Sequence, residues 1–156
     1  MVSSHFESAW KYVPFLLLTV LYSSFSGFLG QYYIAAKETL GVFTTTVIGA
    51  ILNIIFNFIF IPTLGLMGAG ISSALSFGIL WLIRIKNTQK FVKTDLKVIN
   101  ILANHIIIGL QIFILFSTNG IIMYSVNFIL LCISLLLNKD IVLAMLKMVF
   151  RMKSKN

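Results

Sequence analysis

The chain alternates long apolar runs with short polar connections, and the spacing of its polar residues predicts helices throughout. Between Glu38 and Arg84 no residue carries a charge. That stretch folds about Ile61-Pro62-Thr63-Leu64-Gly65, leaving an apolar span on either side. Each span is long enough to cross a hydrocarbon layer of about 30 Å at about 1.5 Å per residue. The pattern predicts five such spans, at about residues 12–32, 41–61, 66–83, 98–116 and 121–137. The tail, 138–156, interleaves Leu143, Leu146, Met148, Val149 and Phe150 with Lys147, Arg151, Lys153 and Lys155, as a cationic amphipathic helix on a membrane surface would. The predicted fold class is all-α, a polytopic transmembrane helix bundle of residues 1–137 followed by that tail.

Within the spans the polar residues are ordered. Ser23, Ser24, Ser26, Gly27 and Gly30 gather in the second half of the first span, where small side chains let another helix approach. In the second, Thr46, Ala50, Asn53 and Asn57 fall on one helical face, so both amides point the same way. An amide against lipid tails costs several kcal/mol, so that face is expected to look at protein or at a watery cavity. In the third, Gly68, Ala69, Ser72, Ser73 and Ser76 form a small-residue groove, and Trp81 near its end suits the membrane interface. Pro62 is expected to stop the second helix and Gly65 to permit the turn.

Composition removes the soluble classes. Mean hydropathy is +1.01, with 59% hydrophobic and 10% charged residues, which no water-exposed domain of this size could carry. The net charge of +8 would suit a nucleic-acid binder, but the cations flank the spans. Arg84, Lys86, Lys90, Lys93 and Lys97 lie in the link between the third and fourth spans, and five more cations lie in the tail. They read as topology charge attracted to anionic lipid headgroups, which places the link and the C-terminus in the cytoplasm. Five spans with a cytoplasmic C-terminus put the N-terminus outside, with no export signal in the first eleven residues. The expectation is therefore that earlier spans precede this segment.

The residues from 7 to 85 resemble those of polysaccharide flippases, O-antigen type, of the multidrug/oligosaccharidyl-lipid/polysaccharide exporter superfamily. The resemblance lies in Ala9-Trp10-Lys11-Tyr12-Val13-Pro14-Phe15-Leu16-Leu17, in Phe28-Leu29-Gly30 and in Tyr33-Ile34-Ala35-Ala36-Lys37. It continues in the order Ile48-Gly49-Ala50, Asn53, Asn57, Ile61-Pro62, Gly65, Gly68-Ala69 and Ile71-Ser72. It implies part of the C-lobe of a two-lobed transporter of about twelve spans, residing in the bacterial inner membrane. Such a protein moves undecaprenyl-diphosphate-linked oligosaccharide between leaflets by alternating access, alongside its own N-terminal spans and polysaccharide polymerase partners. Two rival expectations are a small integral-membrane assembly protein and an amphiphile or drug exporter of the same superfamily.

Candidate residues carry two readings each. Asn53, Asn57, Thr46, Ser72 and Ser76 could line a cavity and bond sugar hydroxyls, or hold helices together. Pro62, Gly65 and Gly68 could form a transport hinge or a static turn. His105 could couple protons, though packing is the simpler role. The link cations could meet diphosphate, with topology charge as the simpler account. There is no Cys/His metal spacing, no nucleophile beside a base and no phosphate-cradling loop, so no catalytic residue, metal or cofactor is expected.

Overall fold

The computed structural model describes residues 9–92 and 98–153. Among them are six α-helices and no strand: α1 (Val13–Ala35), α2 (Thr39–Leu64), α3 (Leu66–Thr88), α4 (Val98–Ser117), α5 (Ile121–Leu137) and α6 (Lys139–Lys153), with a 3₁₀ turn at Ala9–Lys11 before α1. Four of the helices are long and apolar enough to cross a membrane, and the 17-residue α5 is apolar but shorter. At about 1.5 Å per residue it reaches roughly 25 Å, the lower limit for a span. The all-α class and the five apolar helices agree with the sequence pattern.

The chain divides into two compact units, residues 1–94 and 95–156. In the first, α3 packs along both α1 and α2, while α1 and α2 touch each other little. The reason is written in α3, whose inward positions are small: Gly68, Gly70, Ser72, Ala74 and Ser76 are buried, followed by Leu80, Trp81, Arg84 and Thr88. Outward positions are the reverse. Leu17, Phe43, Phe58 and Leu82 are all more than half exposed, an arrangement stable only when the surroundings are themselves apolar. This is a membrane-embedded helical protein.

Pro62 does not end α2. The helix runs two residues further, to Leu64, and terminates at Gly65, whose φ of 57° and ψ of −135° are open only to glycine. A proline this near a C-terminus removes a single backbone donor, and the Thr63 hydroxyl donates to the Phe60 carbonyl at 3.2 Å nearby. The chain then doubles back so tightly that Gly68 lies directly on the Phe60 carbonyl, leaving no room for a Cβ.

Trp81 also departs from expectation. It is buried, with its ring 5.7 Å from that of Tyr22 and 6.0 Å from that of Phe25, so it serves the α1–α3 seam rather than the lipid interface. Its place on the α3 face that carries the small residues explains this: the groove they leave is filled by an indole.

In the second unit α4 and α5 form an antiparallel hairpin joined at Gly120, and α6 continues beyond Asn138. The hairpin is held by amides. Asn138 donates to the Asn104 carbonyl oxygen at 2.9 Å, Asn104 returns a bond to Asn138 at 3.3 Å, and Ser134 adds a third at 2.9 Å. Gln111 reaches the Asn127 carbonyl at 3.4 Å. These bonds are part-buried, and each is worth only about 0.6 kcal/mol on average in membrane proteins.

Candidate functional site: a polar notch beside a buried arginine

The α2–α3 hairpin holds a partly open notch of about 270 Å³, lined by Thr46, Gly49, Ala50 and Asn53 from α2 and Ser73, Ser76, Phe77 and Leu80 from α3. Its polarity comes from a short relay. Asn57 donates to the Asn53 carbonyl oxygen at 2.8 Å, and the Asn53 amide donates to the Ser73 hydroxyl at 3.3 Å. The four-residue spacing of the two amides makes the first bond, since i and i+4 lie one above the other on a helix. One Asn53 amide proton and the Asn57 carbonyl remain without a protein partner among the described residues.

The expected cavity set is thus divided. Thr46, Asn53 and Ser76 line the notch. Ser72 does not: it is completely buried and its hydroxyl donates to the Gly68 carbonyl at 2.7 Å. Asn57 lies behind Asn53 and holds it. Ser76 spends its proton on its own helix, on the Ser72 carbonyl at 2.7 Å, so it can only accept from a guest. Ser73, which the sequence reading put in the packing groove, is the serine that faces Asn53.

Arg84 requires the largest correction. Read along the chain it is the first cation of a polar link; in the fold it is 5% exposed, inside α3, which continues to Thr88. Its Nε donates to Thr45 Oγ1 at 3.1 Å, Nη1 to the Ser26 carbonyl at 2.8 Å, and Nη2 to Thr46 Oγ1 at 2.9 Å and the Val42 carbonyl at 3.4 Å. A planar guanidinium presents donors in a fixed fork, which lets one side chain tie α3 to α1 and α2 together. It is no headgroup contact. Thr46 belongs to both features, accepting from Arg84 while lining the notch.

The other named cations behave differently. Lys86 and Lys90 are exposed, and Lys90 pairs with Glu38 at 3.0 Å while its ammonium sits 4.6 Å from the Phe91 ring centre. Lys93 and Lys97 lie outside the described residues. His105 Nδ1 is 2.7 Å from the Ile101 carbonyl, which fixes the proton on that nitrogen because a carbonyl only accepts. Gly65 and Gly68 are explained by the turn geometry given above. Among the described residues no group of three or more His, Cys, Asp or Glu could hold a metal ion.

A signal for the Arg84 contacts was available. In an antiparallel hairpin, residues equally far from the turn sit at the same height; counting 19 residues back and forward from Gly65 gives Thr46 and Arg84, which are bonded. Fold and site together define a multi-pass helical membrane protein with a polar notch between two of its helices. No protein family, characterised protein or solved structure matches the chain.

Proposed function

We propose that this chain is a C-terminal part of a bacterial inner-membrane flippase for lipid-linked oligosaccharide, with its C-terminus in the cytoplasm. The complete protein would carry undecaprenyl-diphosphate-linked sugar from the cytoplasmic to the outer leaflet by alternating access. The reading is supported first by the order of residues from Ile48 to Ser72 that resembles these flippases. The observation that carries it is the notch: two amides on a helix otherwise facing lipid, one of which, Asn53, keeps a donor for a guest. Amides both donate and accept, as recognition of sugar hydroxyls demands. The assembly-protein reading draws on the same relay, since Asn53–Ser73 is also a helix–helix bond.

A double substitution separates them. Asn53→Leu with Asn57→Leu in the full-length protein is expected to abolish surface polysaccharide while the membrane level of the protein stays normal. Normal polysaccharide at normal level refutes the flippase reading of the notch. Loss of the protein itself assigns the amides to packing alone.

A further inference from the structure

Arg84 is a cation enclosed by three helices, and among the described residues no carboxylate pairs with it. A guanidinium has five N–H groups. Four are engaged: one on Nε, two on Nη2 and one on Nη1. The fifth, on Nη1, is left beside Gly30, where a Cβ would come within 3.2 Å of that nitrogen.

Two other buried polar groups lie on the same face of α1. Ser26 and Tyr33 are each 1% exposed, and among the described residues neither Ser26 Oγ nor the Tyr33 hydroxyl has a hydrogen-bond partner. Ser26, Gly30 and Tyr33 follow one another at helical spacing, so they form one stripe. The stripe and Arg84 meet the same turn of α2. The Tyr33 ring lies against Gly41, the next residue's carbonyl accepts from Nη2, and the Ser26 carbonyl accepts from Nη1. Leaving a buried hydroxyl unpaired costs about 1–3 kcal/mol, and an uncompensated buried charge costs more. All three groups can donate, and they surround one uncompensated positive charge, which calls for an acceptor of negative charge.

We propose that Arg84, Ser26 and Tyr33 form a binding site for a small monatomic anion, chloride being the physiological one. The anion would accept from the remaining Nη1 proton and from the two hydroxyls, next to the missing side chain of Gly30. This site lies at the α1–α3 seam and touches the notch only through the Arg84–Thr46 bond, and none of its proposed anion donors lines the notch, so it does not depend on the flippase reading.

The test uses the full chain in detergent, with thermal unfolding measured in chloride and in gluconate at equal ionic strength, and ³⁵Cl NMR linewidth as a direct probe. Chloride, and equally bromide, is expected to raise the unfolding midpoint by several degrees in a saturable manner, because a ligand bound only by the folded state stabilises it. The ³⁵Cl line is expected to broaden above the detergent blank. In Ser26→Ala/Tyr33→Phe both effects vanish, and in gluconate that variant is at least as stable as the parent, since it loses only unpaired hydroxyls. Equal midpoints in chloride and gluconate for the parent would overturn the proposal. So would halide dependence persisting in the double variant, or a double variant less stable than the parent in gluconate.

Discussion

Replacing Arg84 by lysine keeps the charge and the count of cations in the link, so it leaves the topology signal intact and changes only the shape of the donor. The guanidinium makes four hydrogen bonds to acceptors on two different helices, Ser26 on α1 and Val42, Thr45 and Thr46 on α2. An ammonium is a single point whose donors cannot span both sets, so at least two of the bonds are lost. Hydrogen bonds to charged groups are worth about 1.5–3 kcal/mol each, so the expected destabilisation is about 3 kcal/mol at the lower value, roughly two orders of magnitude in the folding constant. Unfolding in mixed micelles of increasing SDS, followed by tryptophan fluorescence, reads this directly, because Trp81 is stacked in the same α1–α3 seam. Lys86→Arg, at an exposed position on the same helix, is the control and should be silent. If Arg84→Lys unfolds within about 0.5 kcal/mol of the parent, the range of an ordinary surface substitution, then the residue is topology charge after all and the fork geometry is irrelevant.

Other consequences follow from the turn, the amides and the ends of the helices. Gly68→Ala must push a Cβ into the Phe60 carbonyl, a backbone atom that cannot rotate away, and is expected to cost about 1–3 kcal/mol in the same assay; Gly27→Ala, with nothing within 4 Å, is expected to cost nothing. Asn104→Leu removes three bonds across the α4–α5 hairpin and should cost about 2 kcal/mol at the membrane average of about 0.6 each, whereas Lys90→Ala, which breaks an exposed ion pair, should cost under about 1 kcal/mol. Reporters fused after Leu64, Thr88 and Asn156 are expected to lie outside, inside and inside; a reversed pattern would refute the orientation read from the cations.

The number of helices and their apolar character were legible because the absence of charge over 20-residue stretches has one physical explanation in a chain this hydrophobic. Boundaries were less so. The third span was expected to close at Ile83 since a charge normally marks the edge of the hydrocarbon, but α3 continues to Thr88 with Arg84 turned inward. Pro62 was expected to stop α2, yet the constraint that ends the helix is the Gly65 backbone, and a proline within the last turn costs too little to compete with it. Of the notch, the shared face of Thr46, Asn53 and Asn57 was visible from spacing alone. That Ser73 rather than Ser72 faces Asn53 was not, because the serines of α3 alternate between faces and only the partner helix says which face is which.

What linear reading lacks is radial position, and a hairpin supplies part of it. Reflection about Gly65 brings Thr46 to Arg84; reflection about Asn119 brings Asn104 to Ser134 and Gln111 to Asn127, and all three pairs are joined, the last through the Asn127 carbonyl. The rule works because two antiparallel helices share one rise per residue, so polar groups equidistant from a short turn meet at the same depth. It also tells a buried cation from a topology charge. Arg84 reflects onto a threonine within α2, whereas Lys90 reflects onto Leu40 in the first turn of α2 and pairs with Glu38, two residues further out, where water competes. Removing Arg84 from the count still leaves Lys86, Lys90, Lys93 and Lys97 against Asp95 in the link, so the orientation expected from the cations is unchanged. Arg84 closes the bundle, and the expected topology rests on the four lysines.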